Sequence, residues 1–462
     1  MLVSAFRRMI AGAIVCSALS TSARGGPIVI FHGEGHGEGD SGKELEASEK
    51  AGVGGSGPFF SSNVTLLAHM PLTDIGGTSG VLGNDIWGWT DPMTGREYAL
   101  YGRSDGTSFI DISTPTAPVY LGDLPTHTGN AAWRDIKVMG DHALIVADGN
   151  GNHGMQVFDL TNLRGVTSVT TFTETAHYGG YSNAHNIAVN EQTGYAYAVG
   201  TNTASGGLHI IDVSDPTNPT AAGTFSADGY THDTQVVAYQ GPDADYAGRE
   251  IAFNSNEDTL TIVDVTSKQA TAQISRTGYS QSGYAHQGWL TEDQRYFLMN
   301  DEFDEVNFNT GTRTHIWDVS DLDAPVYLGH YESSLTSRDH NLYVHNGLIY
   351  EANYTTGLRI LEPVDLSQAL VTEVGYFDTY PTDDARTFNG AWSVYPYFKS
   401  GSIIVNDRQN GLFVLAFDAV AAPEPGALPL CLAGLAVVLG YAGCRRRFIK
   451  STGVRDRSAN GR

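Results

Sequence analysis

Short apolar runs with alternating polar positions, separated by turn residues, fill most of the middle of the chain. Four of them follow one another between residues 183 and 226, as NAHNIAV, YAYAVG, LHIIDV and TAAGTFS. The runs are too short and too rich in β-branched residues for helices, and Gly, Asn, Asp and Pro stand between them. The pattern therefore predicts four antiparallel strands joined by tight turns.

The same unit recurs along the chain. One marker is the residue that begins the first run, directly after the histidine in NAHNIAV. Its counterparts recur at intervals of 50, 51, 47, 54, 54 and 50 residues, at Asp85, Asp135, Asn186, Asp233, Gln287, Asn341 and Ala391. A second marker is an acid near the end of the third run, at Asp111, Asp159, Asp212, Asp264, Asp318 and Glu362. Two markers with one spacing indicate seven copies, and four-stranded units repeated radially are typical of a β-propeller.

The last and first units predict how the ring closes. The seventh unit, residues 388–418, has only three runs, GAWSVYP, SIIVND and LFVLAF. Ahead of the first unit stands one unassigned run, NVTLLAHMPL at 63–72, which resembles the fourth strands at 118–125 and 325–332. We expect it to pair into the last blade, which leaves no long open sheet edge. The predicted fold is an all-β, seven-bladed propeller of four-stranded antiparallel blades over residues 63–420.

Both ends of the chain have the patterns of targeting segments. Arg7 and Arg8, an apolar run and small residues predict a secretory signal peptide over 1–23, followed by a Gly-, Glu- and Ser-rich linker at 24–62 that we expect to be disordered. Residues 426–443 are uncharged and long enough to span a bilayer. The basic residues after this stretch predict a cytoplasmic end, with a basic tail at 448–462.

Two resemblances add a family and a location. Pro423, Glu424 and Pro425, the apolar stretch, and Arg445, Arg446 and Arg447 together resemble the PEP-CTERM sorting signal of Gram-negative bacteria, over 421–447. That resemblance implies a transient inner-membrane anchor that an exosortase-type enzyme cuts. Units such as GGLHIIDVSDPTNPTAAGTF resemble the LVIVP-type repeats of the choice-of-anchor B family over residues 63–418, which implies a surface propeller and no established activity.

Composition excludes several functions. The chain has 51 acidic against 27 basic residues, a net charge of −24, and such an acidic body repels nucleic acid. Its cysteines, Cys16, Cys431 and Cys444, all lie outside the predicted propeller, which therefore has neither disulfides nor thiolate chemistry. Nucleophile-elbow, Walker and H-E-x-x-H motifs are absent from the sequence, so no residue is a candidate for catalysis.

Four histidines stand at the entries to first strands. First strands of a propeller line its central channel and start on one face, so His185, His232, His286 and His340 should form an arc at the channel mouth. Arg134 takes this position in the second unit, and Gly390 takes it in the seventh.

Three interpretations of these histidines remain open. Each histidine and the polar residue after it could tie strand ends together. Neutral imidazoles could instead bind Zn or Cu, with Asp135 or Asp233 orienting them. The mouth could also hold a non-metal ligand.

An acidic segment, NDEFDEVNFNTGTR at 300–313, joins the second and third strands of the fifth unit on the same face. Asp301, Glu302, Asp304 and Glu305 offer hard oxygen ligands at a spacing that suits Ca²⁺, although the order of residues is not that of an EF-hand. The alternatives are a solvated acidic loop, or pairing with Arg313 or Arg338.

The sequence as a whole favours an exported binding or interaction module over an enzyme. We expect it at the cell surface or in the extracellular matrix, with exopolysaccharide or matrix proteins as partners. The alternative is a metal-dependent hydrolase or oxidoreductase with its site at the channel mouth.

Overall fold

The computed structural model of the chain describes residues 59–418. The predicted signal peptide, the sorting signal with its anchor helix, the basic tail and most of the predicted linker lie outside these residues. Within residues 59–418, no helix is long and apolar enough to cross a bilayer.

The described residues are almost entirely strands and turns. The strands are β1 (Ser61–Ser62), β2 (Val64–Met70), β3 (Gly83–Thr90), β4 (Glu97–Arg103), β5 (Gly106–Asp111), β6 (Val119–Pro125), β7 (Trp133–Met139), β8 (His142–Asp148), β9 (Met155–Asp159), β10 (Thr170–Thr171), β11 (Ala176–Tyr178), β12 (Asn186–Asn190), β13 (Tyr195–Val199), β14 (Leu208–Asp212), β15 (Thr220–Phe225), β16 (Asp233–Ala238), β17 (Glu250–Ser255), β18 (Thr259–Asp264), β19 (Ala272–Gly278), β20 (Ala285–Leu290), β21 (Tyr296–Asp301), β22 (Arg313–Asp318), β23 (Val326–Glu332), β24 (Asn341–His345), β25 (Leu348–Ala352), β26 (Leu358–Asp365), β27 (Leu370–Phe377), β28 (Ala391–Tyr395), β29 (Ser402–Asp407) and β30 (Gly411–Phe417). The helical segments in this part of the chain are α1 (Asp304–Phe308) and 3-10 turns at Leu72–Ile75, Leu160–Leu163, Ala204–Gly206 and Leu366–Gln368.

The strands form seven antiparallel blades, which confirms the predicted fold. From the centre outward the first blade is β3 to β6, and the second is β7, β8, β9 and β11. The third to sixth are β12 to β15, β16 to β19, β20 to β23 and β24 to β27. The seventh is β28 to β30 completed by β2, with Thr65 opposite Ala416 as closure requires. Strand β28 also lies beside β3 of the first blade, so the ring is closed.

Two short strands that the sequence did not predict extend the outer edges of blades one and six. Strand β10 pairs in parallel with β6, and β1 pairs antiparallel with β27, Ser61 opposite Phe377. Phe59 packs its ring 5.0 Å from that of Phe413, so a residue ahead of the predicted strand at 63–72 also contacts the last blade. Two-residue strands have no periodicity by which the sequence could reveal them.

Burial is greatest in the second strands of the blades and least in the outermost strands. Strands β4, β17 and β29, each second in its blade, are buried at every position, because neighbouring blades cover both of their faces. The outermost strand β15 is mostly exposed or half-buried. Close stacking of blades also explains some of the glycines: a Cβ at Gly88 in β3 would lie 2.2 Å from the Tyr395 ring.

The order of strands defines the face on which the candidate site lies. Strands alternate in direction outward, so the starts of first strands, the connections between second and third strands, and the connections between blades share one face. We call this the mouth face. On it, Arg313 at the start of β22 donates its backbone N–H to Asp339, which precedes β24, at 2.9 Å.

Candidate functional site

Four histidine rings lie against one another at the mouth of the channel. The ring centroids of His185 and His232 are 4.3 Å apart, those of His232 and His286 4.1 Å, and those of His286 and His340 4.3 Å. Neighbouring rings are tilted by 42–53° rather than stacked flat. We call this set the imidazole arc; it takes one residue from each of blades three to six.

Hydrogen bonds fix which ring nitrogen carries the proton. The Nδ1 atom of His232 lies 2.8 Å from the backbone oxygen of His286, and that of His340 lies 2.5 Å from the backbone oxygen of Trp392. A carbonyl oxygen can only accept, so Nδ1 is the donor in both rings. In a neutral imidazole the Nε2 atom then keeps its lone pair, which is the form that binds a metal.

His185, at one end of the arc, has a carboxylate partner instead. Its Nδ1 atom lies 2.9 Å from Asp148 Oδ2, and the other oxygen of Asp148 accepts from Asn183 at 2.8 Å. Asp148 ends β8 in the neighbouring blade, 37 residues away in sequence, and the sequence offered no sign of this pairing.

The four histidines of the arc differ in how readily they take up a proton. His232, His286 and His340 are 2–4% exposed, and burial, followed by the neighbouring imidazoles for the first two, holds their pKa values well below the usual one. Burial also opposes charge on His185, but the hydrogen bond and the negative charge of Asp148 outweigh it and raise the pKa of His185. Three neutral imidazoles and one carboxylate-paired imidazole result.

Tryptophans flank the arc. Trp133 lies 6.5 Å from the ring of His185, and Trp392 lies 4.7 Å from that of His340. Trp392 is the bulge residue of β28, in the place that His286 has in β20. The expected equivalence of Gly390 with the histidines is therefore wrong, because the bulge shifts the register and brings Trp392 to that position.

One acid of the 300–313 segment reaches the arc. Glu302 Oε1 lies 3.8 Å from His340 Nε2 and accepts a 2.6 Å hydrogen bond from the Tyr354 hydroxyl. Burial raises the pKa of Glu302 to about 7. One possible ligand atom from each of His286, Glu302 and His340 lies within 4.8 Å of those of the other two, a spacing that one metal ion can bridge.

The two aspartates expected to orient the imidazoles have other partners. Asp135 accepts from Ile187 N in the next blade at 2.7 Å and pairs with Lys137. Asp233 accepts from Thr234 N at 2.6 Å, and burial raises its pKa to about 7. Among the described residues, no hydrogen bond joins either carboxylate to a ring of the arc.

Arg134, which has the histidine position in blade two, points away from the arc. Its Nε atom donates to the backbone oxygen of Arg103 at 3.0 Å, and one terminal nitrogen lies 3.3 Å from His153 Nε2. Burial lowers the pKa of this guanidinium to about 10. Arg134 therefore ties together the loops of the first two blades.

The residues that follow the histidines link one blade to the next. Gln287 accepts from Leu342 N at 2.9 Å and donates to Leu342 O at 3.0 Å, and the amide of Asn341 donates to Trp392 O at 3.2 Å. These contacts are the strand ties that one interpretation of the sequence expected. They use the amides and the Nδ1 atoms, and they leave Nε2 of His232 and His340 for another role.

The acidic segment divides between separate environments. Asp301 accepts from Gly283 N, Tyr284 N and the Tyr279 hydroxyl at 2.5–2.7 Å, so it holds the loop in place. All four acids of the segment are at most 8% exposed, so the solvated-loop interpretation is wrong.

The remaining two acids of the segment, Asp304 and Glu305, begin α1. Both group with Asp339 of the next blade, and Asp304 also groups with Asp301 and His315, whereas Glu302 groups with His286 and His340. The predicted set of four acids is thus not a single cluster in the structure.

Comparison with known proteins supports the repeat. Residues 181–227, which contain the third blade, match the family described as LVIVD repeat. No curated protein matches the chain.

Three solved structures are similar at low identity. The Cps50 (Swd1) β-propeller domain from Myceliophteria thermophila is 13% identical, with 69% of this chain and 93% of that chain covered and a TM-score of 0.45. The computationally designed protein Ika8 is 9% identical, with 72% and 82% covered and a TM-score of 0.44. A protein from Lactobacillus plantarum is 13% identical, with 70% and 87% covered and a TM-score of 0.47.

Proposed function

We propose that this protein is an exported propeller that acts as a binding module, with a transition-metal ion held by the imidazole arc. The observation that carries the proposal is that Nδ1 of two arc histidines is already used in hydrogen bonds to the backbone. His232 and His340 donate Nδ1–H to backbone oxygens at 2.8 and 2.5 Å, which leaves Nε2 lone pairs for a metal. Histidine ligands in metal sites ordinarily donate their other ring nitrogen to a carbonyl or carboxylate in this way.

The donor set indicates the class of metal. Neutral imidazoles with one carboxylate suit Zn²⁺ or Cu²⁺ better than Mg²⁺ or Ca²⁺, which prefer all-oxygen sites. Glu302, 3.8 Å from His340 Nε2, would be the carboxylate ligand. Burial of the rings keeps water and competing protons from the nitrogens.

Metal analysis of the purified protein tests this proposal. We expect about one Zn²⁺ or Cu²⁺ ion per chain, lost when His286→Ala and His340→Ala are combined, since each ligand removed weakens a site of this kind strongly. The matched control is His345→Ala, at the opposite end of β24, which should keep the metal. The proposal fails if the wild-type protein takes up neither metal, or if the double variant retains it.

The proposal of export and sorting depends on the sequence motifs at the two ends of the chain. The signal-peptide pattern, the Pro423-Glu424-Pro425 motif and the Arg445–Arg447 cluster support delivery through the inner membrane to the cell surface or matrix, where exopolysaccharide or matrix proteins would be the partners. Fractionation of cells that make the protein tests this. Replacing Glu424 with Ala should leave the chain in the inner membrane, and release of the variant at the wild-type level would contradict the sorting proposal.

A metal-dependent hydrolase or oxidoreductase is the second candidate. In this candidate the imidazoles alone hold the metal and Glu302 stays unbound beside it; a buried carboxyl with its pKa raised to about 7 exchanges a proton near neutral pH and can serve as a general acid or base. If the loaded protein turns over model esters or phenols, Glu302→Gln should abolish that turnover. Turnover that survives the substitution would exclude the role for Glu302.

A further inference from the structure

Three buried carboxylates meet where blades five and six join. Asp304 and Glu305 are the first residues of α1, between β21 and β22, and Asp339 immediately precedes His340 at the entry to β24. All three are 0% exposed. One oxygen from each lies within 4.8 Å of an oxygen from each of the others. We call these residues the carboxylate triad.

Each carboxylate of the triad uses one oxygen to hold the local structure. Asp304 Oδ2 lies 3.2 Å from His315 Nε2, Glu305 Oε1 accepts from Asp339 N at 2.7 Å, and Asp339 Oδ2 accepts from Arg313 N at 2.9 Å. These bonds fix the three side chains relative to two blades.

The second oxygen of each carboxylate is buried and has no hydrogen-bond partner. These atoms are Asp304 Oδ1, Glu305 Oε2 and Asp339 Oδ1. A buried oxygen without a donor carries the full desolvation penalty, and three neighbouring side chains that each hold such an oxygen call for a ligand that compensates them. The ligand must be positively charged, because the groups around it are carboxylates.

The neighbouring cation does not compensate them. One terminal nitrogen of Arg313 lies 3.6 Å from Asp304 Oδ2, on the side that is already bonded to His315. The same guanidinium makes two bonds to Glu332, at 3.0 and 3.1 Å. A single guanidinium shared in this way leaves the triad with excess negative charge.

We propose that Asp304, Glu305 and Asp339 bind one hard divalent cation, Ca²⁺, which cross-links blades five and six. Oxygens on opposite sides of a bound Ca²⁺ are about 4.6–5.2 Å apart, since each lies about 2.3–2.6 Å from the ion. The spacing of the triad oxygens fits within that span. The site is separate from the imidazole arc in its residues and in its all-oxygen chemistry, and it does not depend on the proposed function.

Thermal unfolding of the full chain after chelator treatment tests the proposal. Ca²⁺ should raise the midpoint by several degrees, because an ion that binds only the folded state stabilises it by mass action. Asp339→Asn and Glu305→Gln should each abolish this shift, while their amide oxygens can still accept the bonds from Arg313 N and Asp339 N. The matched control is Asp323→Asn, in the exposed acidic group with Asp243 and Asp321, which should keep it.

Terbium luminescence gives a second readout that needs no variant of the triad. Tb³⁺ bound to the wild-type protein should be displaced by Ca²⁺ and not by Zn²⁺, and the variant His286→Ala with His340→Ala should behave like the wild type. The proposal is overturned if Ca²⁺ leaves the unfolding midpoint unchanged, if both triad variants respond as the wild type does, or if Asp323→Asn alone removes the response. Absence of a Ca²⁺ shift would mean that shared protons alone satisfy the three carboxyls.

Discussion

The imidazole arc and the carboxylate triad lie on the same face but are built in different ways. The arc takes one histidine from the same position of four successive blades, His185, His232, His286 and His340. The triad takes two acids from a segment that only blade five carries and one from the entry to blade six. Repetition thus provides a row of equivalent donors around the channel, whereas an insertion into one repeat provides a site at a single junction between blades.

The two sites also differ in what burial does to them. A neutral imidazole tolerates burial when one nitrogen has an acceptor, as His232 and His340 do. A buried carboxylate keeps its charge only with a cation or several donors, and otherwise takes up a proton. Burial accordingly raises the pKa of Asp304 to about 7 and that of Glu305 to about 8. The rings of His232 and His340 therefore have a hydrogen-bond partner without an ion, while the triad needs either an ion or protons.

The largest effect is expected from Asp301, the acid that positions the segment serving both sites. In Asp301→Ala, Gly283 N, Tyr284 N and the Tyr279 hydroxyl lose their acceptor, and the free energy of unfolding should fall by about 3 kcal/mol or more. Urea unfolding measures this. Asp293→Ala, at the exposed end of the same hairpin, removes only the turn bonds from Thr291 Oγ1 and Arg295 N and should change it by about 1 kcal/mol or less.

If Asp301→Ala were as stable as Asp293→Ala, the acidic segment would be held by other contacts. The arc and the triad would then not share a support.

Opposite dependences of stability on pH should separate the two sites. The pKa values of His232, His286 and His340 are lowered in the folded state, so below about pH 6.5 only the unfolded chain takes up these protons and stability falls with decreasing pH. The triad pKa values are raised, so without a cation the folded protein keeps protons that the unfolded chain releases above about pH 4. The contribution of the triad to stability therefore falls as the pH rises from about 4 toward the folded-state pKa values of Asp304 and Glu305, about 7 and about 8.

Urea unfolding in chelator between pH 5 and pH 8 measures both slopes, each roughly 1.4 kcal/mol per pH unit for every proton that differs between the two states. His232→Gln should reduce the loss on the acid side only. Asp339→Asn should reduce the loss on the alkaline side, where the three histidines no longer titrate, and Ca²⁺ should do the same for the wild type. Equal effects of both variants on both sides would contradict the separation of the sites.

The smallest effect is expected at the contact between Tyr354 and Glu302. Tyr354→Phe removes the 2.6 Å hydrogen bond to Glu302 Oε1 and should lower the free energy of unfolding by about 1 kcal/mol. This bond lowers the pKa of Glu302 against the dominant effect of burial, so the variant should take up metal only at higher pH. An unchanged pH profile of metal uptake would show that Glu302 is not a ligand.

Much of the fold could be predicted from the residues alone. The spacing of the strand markers predicted seven blades, and the missing fourth run of the last unit predicted the pairing of Thr65 with the region of Ala416. The common face of the four histidines followed from strand order. The short edge strands β1 and β10 could not be predicted, since they are held by sheet edges already formed and not by any pattern of their own.

The sequence by itself determined the number of blades, their closure and the face on which the histidines and acids lie. It could do so because the alternation of apolar residues and the residue types of the turns are local properties, and the same local pattern occurs in each of the seven repeats. Only the tertiary structure decided that Asp148 pairs with His185, that Trp392 ends the arc, and that Asp339 joins Asp304 and Glu305 while Glu302 turns to His340. Such partnerships depend on bulges, side-chain directions and the packing of loops from different blades, and spacing along the chain does not encode these distances.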